Sequence, residues 1–424
     1  MTIVDQDRWQ AFCRTEGPAF ASATHLPGLV RRPDAIEAGL RDAVRGATTR
    51  TGLDDVSAPR VRVYSGHRLD YVAAERLGHS AFDGADLAGW FRDQCPAEKM
   101  CLAFNEIDTW SLELADLLAA ELTLPLVASA GEPRSGIEWY SFLGRSGWTS
   151  FGLHSDPEPS MIFHLGPAPK EVWVFDRDVL PRLPNSRQIT FDFEHLLGSA
   201  RHFVLQPGDF LLIPAFDFHV FRNLGYSAFV GLTVYPQDVR QEMANIVMHL
   251  APRPGGRHLR QDEAREAIRG TAGELVGSAS FTDDVAVALD DAERRLRSAA
   301  WTKKTAVGLR TTVADEVGAT EFVVTTRPLV PAGHRQALFV GGRTIELPTE
   351  CDPETLLESL PPGRVVSGDE LLGDLRSAFT ASPADAMHAQ ALLRALETCG
   401  GVRPTRGEHD VIPTRTSTSA GTRS

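Results

Sequence analysis

Two histidines and a carboxylate in this chain have the residue types and spacing to hold a metal ion. His154 and Asp156 stand two apart in Ser150-Phe151-Gly152-Leu153-His154-Ser155-Asp156. His219 follows a Pro207-Gly208-Asp209 turn and the apolar run Phe210-Leu211-Leu212-Ile213. Two imidazoles and one carboxylate on one face of a metal make the facial triad of non-haem Fe(II) oxygenases, which leaves positions open for a co-substrate and oxygen.

A His-x-Asp triplet alone occurs by chance, so its setting matters. Strand alternation points His154 and Asp156 to one face. The Pro-Gly-Asp turn sets up a strand ending at Ile213-Pro214, and His219 opens the next one, which can return to the same mouth. Other residues compete for the third position. His195 and His202 lie beside apolar segments that suit packing. His164 sits mid-strand in Met161-Ile162-Phe163-His164-Leu165 and is expected in the interior or on the substrate side rather than on the metal. Asp217 and Asp209 are alternative carboxylates, and the turn itself explains Asp209.

Around these residues, between 137 and 236, short apolar runs are separated by Gly and Pro. Strands are expected at 138–143, 161–165, 172–175, 188–193, 202–205, 210–213, 219–223 and 229–235. Many short strands with frequent turns make a sandwich or barrel. Upstream, the spacing predicts a helix over 34–46 behind Pro33, strands at 61–64 and 100–104, and a helix over 110–122 closed by Pro125. Downstream the pattern turns helical, most clearly at 283–300. From 321 a strand and a hairpin folded at Gly341-Gly342 precede three helices. Their starts are marked by Asp352-Pro353, by the capping box at Ser367 to Glu370, and by Ser382-Pro383. The last helix stops at Gly400-Gly401.

Five domain-level segments follow: a mixed N-terminal part (1–99), a catalytic core (100–240), a helical linker or dimerisation region (241–320), a winged-helix-like unit (321–402) and a disordered tail (403–424). The fold class is α+β.

The chain has 424 residues, which suits two or three domains, and a formal net charge of -13. That charge argues against a general affinity for nucleic acid or anionic membranes. No apolar run approaches the roughly 20 residues of a membrane span. The first residues carry neither a basic start nor an apolar stretch, so a cytoplasmic address is expected. Five scattered cysteines contain no Cys-x-x-Cys pair and support neither a disulfide framework nor a zinc site.

The stretch from 100 to about 234 resembles the JmjC-type cupin oxygenases, and within them the ribosomal-oxygenase branch. The resemblance rests on Cys101-Leu102-Ala103-Phe104-Asn105 with Trp110, Tyr140, His154-Ser155-Asp156, Lys170 and its strand, and Pro207-Gly208-Asp209 through His219. It implies a double-stranded β-helix that binds Fe(II) through His154, Asp156 and His219 and takes 2-oxoglutarate as co-substrate. It implies, too, a helical linker and a C-terminal winged helix in that order. Two features depart from the family: His164 stands where a Gln-containing strand is usual, and Gly166-Pro167-Ala168-Pro169 makes a stiff turn before Lys170.

Lys170 is one of only four lysines in the chain. It begins Lys170-Glu171-Val172-Trp173-Val174-Phe175, and alternation aligns it with Val172 and Val174. An inward lysine needs an anion, which the far carboxylate of 2-oxoglutarate supplies if the resemblance holds. Tyr140 and Thr233, on neighbouring strands, are further pocket candidates.

The expected function is therefore Fe(II)- and 2-oxoglutarate-dependent hydroxylation of a protein or peptide side chain, a ribosomal protein being the specific form. A small metabolite or biosynthetic peptide is the rival substrate. A non-enzymatic cupin regulator is the rival class, and charge opposes it as a DNA binder. Between 331 and 402 five basic residues face ten acidic ones, a poor footprint for phosphates. Expected partners are the substrate and a second copy in a homodimer, with no nucleic acid and no membrane.

Overall fold

Antiparallel strands dominate the centre of the computed structural model, which describes residues 2–17, 19–49, 60–78, 80–97, 99–177, 189–238, 244, 281–303, 317–318, 320–379 and 385–405. In chain order the N-terminal part supplies α1 (Gln6–Glu16), β1 (Thr24–Leu26), α2 (Pro33–Thr49), β2 (Arg60–Ser65), β3 (Arg68–Leu69), α3 (Tyr71–Gly78) and α4 (Leu87–Gln94). Then come β4 (Met100–Asn105), α5 (Leu112–Leu118), α6 (Leu124–Ala130), β5 (Ile137–Gly144), β6 (Gly147–Trp148), β7 (Leu153–His154), β8 (Ser160–Pro167) and β9 (Lys170–Phe175). The core closes with β10 (Ile189–Thr190), β11 (Arg201–Leu205), β12 (Phe210–Ile213), β13 (Phe218–Asn223) and β14 (Ser227–Val234).

Two sheets form the barrel. One runs β1-β12-β8-β14-β5-β4-β2-β3, and the other runs β10-β7-β13-β9-β11 with β6 on β13. The alternation of each strand sorts its residues between two layers. On β8, Met161, Phe163 and Leu165 face outward, where they join the core beneath α1 and α2, while Ile162 faces the barrel interior. On β9, Val172 and Val174 face inward, and Trp173 and Phe175 pack in an outer cluster with Val220 and Phe193. Trp9 of α1 stands edge-on to Phe163 and Phe210, with ring centroids 5.7 and 5.5 Å away. This clamps the N-terminal helix to the larger sheet, and truncating such a buried aromatic costs about 3–5 kcal/mol.

Both faces of most barrel strands are therefore covered, which explains why they read as apolar runs. The strands at 137–144, 160–167, 170–175, 201–205, 210–213, 218–223 and 227–234 lie where the sequence placed them, within a few residues. The helix expected over 110–122 differs. α5 ends at Leu118, a π turn spans Ala119–Thr123, and α6 continues to Ala130. Pro125 does not close the helix. It lies in the first turn of α6, and the widened π turn before it removes the demand for its missing N–H.

Beyond the barrel lie α7 (Phe281–Ser298), β15 (Glu321–Val324), β16 (Val330–Pro331), β17 (Ala337–Val340), β18 (Arg343–Glu346), α8 (Pro353–Ser359), β19 (Val365–Ser367), α9 (Gly368–Ser377), α10 (Asp385–Cys399) and β20 (Val402–Pro404). The β17–β18 hairpin turns at Gly341 and Gly342, both at positive φ, as a tight two-residue turn requires. Asp352 caps α8 by accepting from the backbone N–H groups of Glu354 and Thr355, and Ser367 caps α9 by accepting from Glu370. This unit has its own core around Phe322, Leu338, Leu371 and Leu396. It is also tied to the barrel side. Buried Arg327 meets Asp116 of α5 at 3.2 Å, and the Thr325 hydroxyl donates to the same carboxylate at 2.6 Å. The Ser382-Pro383 helix start, most of the expected linker and nearly all of the tail lie outside the described residues. Among the described residues no helix is long and apolar enough to cross a membrane.

Candidate metal centre and co-substrate cavity

His154 ends β7 and His219 lies near the start of β13, and the register makes them direct cross-strand partners. Their rings stand 4.3 Å apart between centroids. Asp156 follows β7 by two residues. Its Oδ2 lies 3.7 Å from Nε2 of His154 and 3.6 Å from Nε2 of His219. The three ligand atoms all fall within 4.8 Å of one another.

The other ring nitrogen of each histidine is already engaged. Nδ1 of His154 lies 3.0 Å from the carbonyl of Gly152, and Nδ1 of His219 lies 3.0 Å from the carbonyl of Asp217. A carbonyl only accepts, so both Nδ1 atoms donate there and both Nε2 atoms are left facing Asp156. Such backbone carbonyls are the usual outer partners of metal-bound imidazoles. Burial, and next the neighbouring His154, hold the pKa of His219 below its ordinary value, which favours the neutral form a metal requires. The backbone of Asp156 is fixed as well, since its carbonyl accepts from the N–H of Phe216 at 2.7 Å. Phe216 holds the left-handed conformation at φ 65, where a bulky side chain is strained. A donor set of two imidazoles and one partly exposed carboxylate fits a divalent metal of the Fe(II) kind.

A cavity of about 350 Å³ opens beside these residues. Tyr140, Ser160 and Thr233 line one wall, with their hydroxyls grouped together. Burial raises the Tyr140 pKa, so the phenol stays protonated as a donor. At the mouth, side chains from successive strands form a chain. Arg62 donates to Asn105 at 2.8 Å, Asn105 donates to Glu138 at 2.5 Å, and the Tyr235 hydroxyl donates to the other oxygen of Glu138. Phe142, Phe221 and Phe229 line the deep end, with Phe142 and Phe229 stacked at 5.9 Å.

Lys170 lies beyond those rings. It is fully buried, its amine 5.3 Å from the Phe229 ring centroid and 5.9 Å from that of Phe221. It donates to Oδ1 of Asn223, its cross-strand partner, and the Ser227 hydroxyl bonds the same oxygen at 3.0 Å. Burial pushes the Lys170 pKa down to about 7. The inward direction expected from alternation is the observed one, with the Phe221 and Phe229 rings beside the amine.

The competing residues have other partners. His202 stacks on Trp173 at 4.5 Å and pairs with Glu171 at 3.2 Å on the outer face. His195 is exposed, 3.5 Å from Asp192. Asp209 accepts from the backbone N–H groups of Gln206 and Gly28 and pairs with His25. Asp217 contributes its carbonyl to His219. His164 is fully buried inside the barrel and away from the triad. Sequence reasoning missed Asn223, Glu138, Arg62 and Tyr235. Inward parity on their strands was the available signal for Asn223 and Glu138.

No family model matches the chain, and no curated protein does either. Among solved structures the chain is similar to YcfD, a ribosomal oxygenase from Escherichia coli. One structure of that protein aligns at TM-score 0.50 and 15% identity over 93% of this chain and 97% of the other. Another aligns at TM-score 0.50 and 14% identity over 94% and 98%. The similarity covers both chains almost end to end, and the double-stranded β-helix fold expected from the sequence is the fold found.

Proposed function

We propose that the protein is an Fe(II)- and 2-oxoglutarate-dependent dioxygenase that hydroxylates a C–H of a protein or peptide side chain. The observation that carries this reading is the cross-strand pair His154 and His219, each with Nδ1 bound to a carbonyl and Nε2 turned to Asp156. Bound by these three residues, the metal would supply the oxidative decarboxylation of 2-oxoglutarate to succinate that drives hydroxylation.

The chain's own residues have separate tasks. His154, Asp156 and His219 would hold the metal. Lys170 offers a buried ammonium to the far carboxylate of the co-substrate, and Phe142, Phe221 and Phe229 keep that end dry, which strengthens the contact. Tyr140 and Thr233 give polar contacts on the wall near Asp156. The mouth, with Glu138 and Asn105 held in fixed orientation, faces the substrate. The likeness in fold to a protein described as a ribosomal oxygenase supports a ribosomal protein as the specific substrate.

The test is turnover of labelled 2-oxoglutarate by the iron-loaded protein in air without added substrate. Succinate that requires both iron and oxygen supports the reading. Succinate formation no faster than in a His154→Ala/His219→Ala double variant would point instead to a non-enzymatic cupin.

A further inference from the structure

His164 is absent from the metal centre, yet it is among the most deeply buried polar side chains of the barrel. Its Nε2 lies 2.9 Å from the carbonyl of Ala168, in the turn between β8 and β9. A carbonyl only accepts, so Nε2 carries the proton and Nδ1 is left as a bare lone pair. That Nδ1 is buried and has no hydrogen-bond partner. Leaving a buried polar atom unmatched costs about 1–3 kcal/mol, which asks for an explanation.

Lys170 stands at the same closed end of the barrel. His164 is the cross-strand partner of Phe229, whose ring lies 5.3 Å from the Lys170 amine. Burial and then the charge of Lys170 lower the His164 pKa to about 4, so the imidazole is neutral and its Nδ1 is an acceptor. The amine has the complementary surplus. An ammonium carries three N–H donors, and the hydrogen bond recorded for Lys170 goes to Asn223. The groups around the pair are Cys101 on β4, Asn223 on β13, Ser227 on β14 and, acting on His164, Asp209. Cys101 is thiol, because burial raises its pKa, and Asp209 is engaged with His25, Gly28 and Gln206.

We propose that His164 is a positioning residue for the co-substrate: when 2-oxoglutarate enters, its Nδ1, without a partner in this structure, takes up one N–H of the Lys170 ammonium while Asn223 keeps a second, so that the third is aimed at the far carboxylate. Two neutral acceptors then hold the buried amine in its charged form when the carboxylate arrives. His164 thus acts through Lys170 and touches neither the metal nor the reacting carbon. The inference rests on the dioxygenase reading above.

The experiment is calorimetric titration of 2-oxoglutarate into the full-length Mn(II)-loaded protein under nitrogen, from pH 6 to 9, for the parent, His164→Leu and His164→Asn. His164→Leu removes the acceptor and should weaken binding about tenfold at pH 7, the value of one hydrogen bond to a charged group. The pH above which affinity declines should fall by about one unit, because a tenfold loss for the charged form is one pKa unit. Mn(II) affinity should stay at the parent value. His164→Asn restores an acceptor near the Nδ1 position and should recover most of both effects. The proposal is overturned if His164→Leu keeps the parent's affinity and pH profile. It is equally overturned if both variants weaken alike with the profile unmoved, which would mark a packing role. A parent that binds Mn(II) but no 2-oxoglutarate would sink the dioxygenase reading itself, a result distinct from either.

Discussion

His154 and His219 are paired directly across β7 and β13, so the register of two strands, not a loop, sets the spacing of the two imidazoles. A strand register slips by whole residues or not at all, and a one-residue slip would turn either ring out of the barrel. The third member, Asp156, lies just past the end of β7, with its carbonyl held by Phe216. Two rigid positions and one tethered one suit a site that must hold a metal and still admit other ligands.

Lys170→Ala should weaken 2-oxoglutarate binding by about 2–4 kcal/mol, or roughly thirty- to a thousandfold, because it removes one partner of a buried charge pair. Metal affinity should be unchanged, since the amine lies at the far end of the barrel from the triad. Lys170→Arg should recover part of the loss, as it keeps the charge but not the shape. Titration of the metal-loaded protein by calorimetry measures all three. Equal affinity in Lys170→Ala would assign the far carboxylate to another group.

The lowered pKa of Lys170 gives a pH dependence with a definite sign. Without co-substrate the amine titrates at about 7 in the folded protein, against an ordinary value of 10.5. Between these values the unfolded chain binds the proton and the folded one does not, so stability of the co-substrate-free protein should rise with pH across that window. Binding a carboxylate favours the ammonium and reverses the preference. Affinity for 2-oxoglutarate should thus be flat below pH 7 and fall up to tenfold per unit above it, with proton uptake on binding. Titrations in buffers of different ionisation enthalpy report that uptake. Constant affinity from pH 7 to 9 would show that the amine stays charged without its partner.

Much of this arrangement was legible in the chain, and for physical reasons. His154, Asp156 and His219 stand out because few residue types ligate metals and because apolar runs with turn residues mark the strands around them. Inward parity placed Lys170 on the face of Val172 and Val174. The aromatic cluster beside Lys170 was not legible, because Phe142, Phe221 and Phe229 come from three strands whose stacking depends on closure of the barrel. Asn223 was hidden for the same reason: only the β9–β13 register sets it opposite Lys170. Pro125 misled because the usual rule for proline assumes an unbroken α-helical hydrogen-bond ladder, and a π turn replaces it there.

The C-terminal unit depends on Arg327. Its guanidinium lies 3.2 Å from Asp116 and donates to the carbonyl of Gly400 at 3.0 Å, all of it buried. Breaking a buried pair from one side leaves the other charge without its partner, and Arg327→Ala should cost about 3–5 kcal/mol. Denaturant unfolding followed by fluorescence would show the midpoint fall. A loss below about 0.5 kcal/mol would mean that Arg403, 3.5 Å from the same carboxylate, carries the pairing alone.

Metal stoichiometry of the purified protein and its triad variants bears on the central claim most directly. The full-length protein, stripped with chelator and reloaded anaerobically with Fe(II), should hold one metal per chain. His154→Ala, Asp156→Ala and His219→Ala should each fall well below that while their circular dichroism stays that of the parent. Full occupancy in any one of the three folded variants would remove that residue from the site, and full occupancy in all three would contradict the metal centre described above.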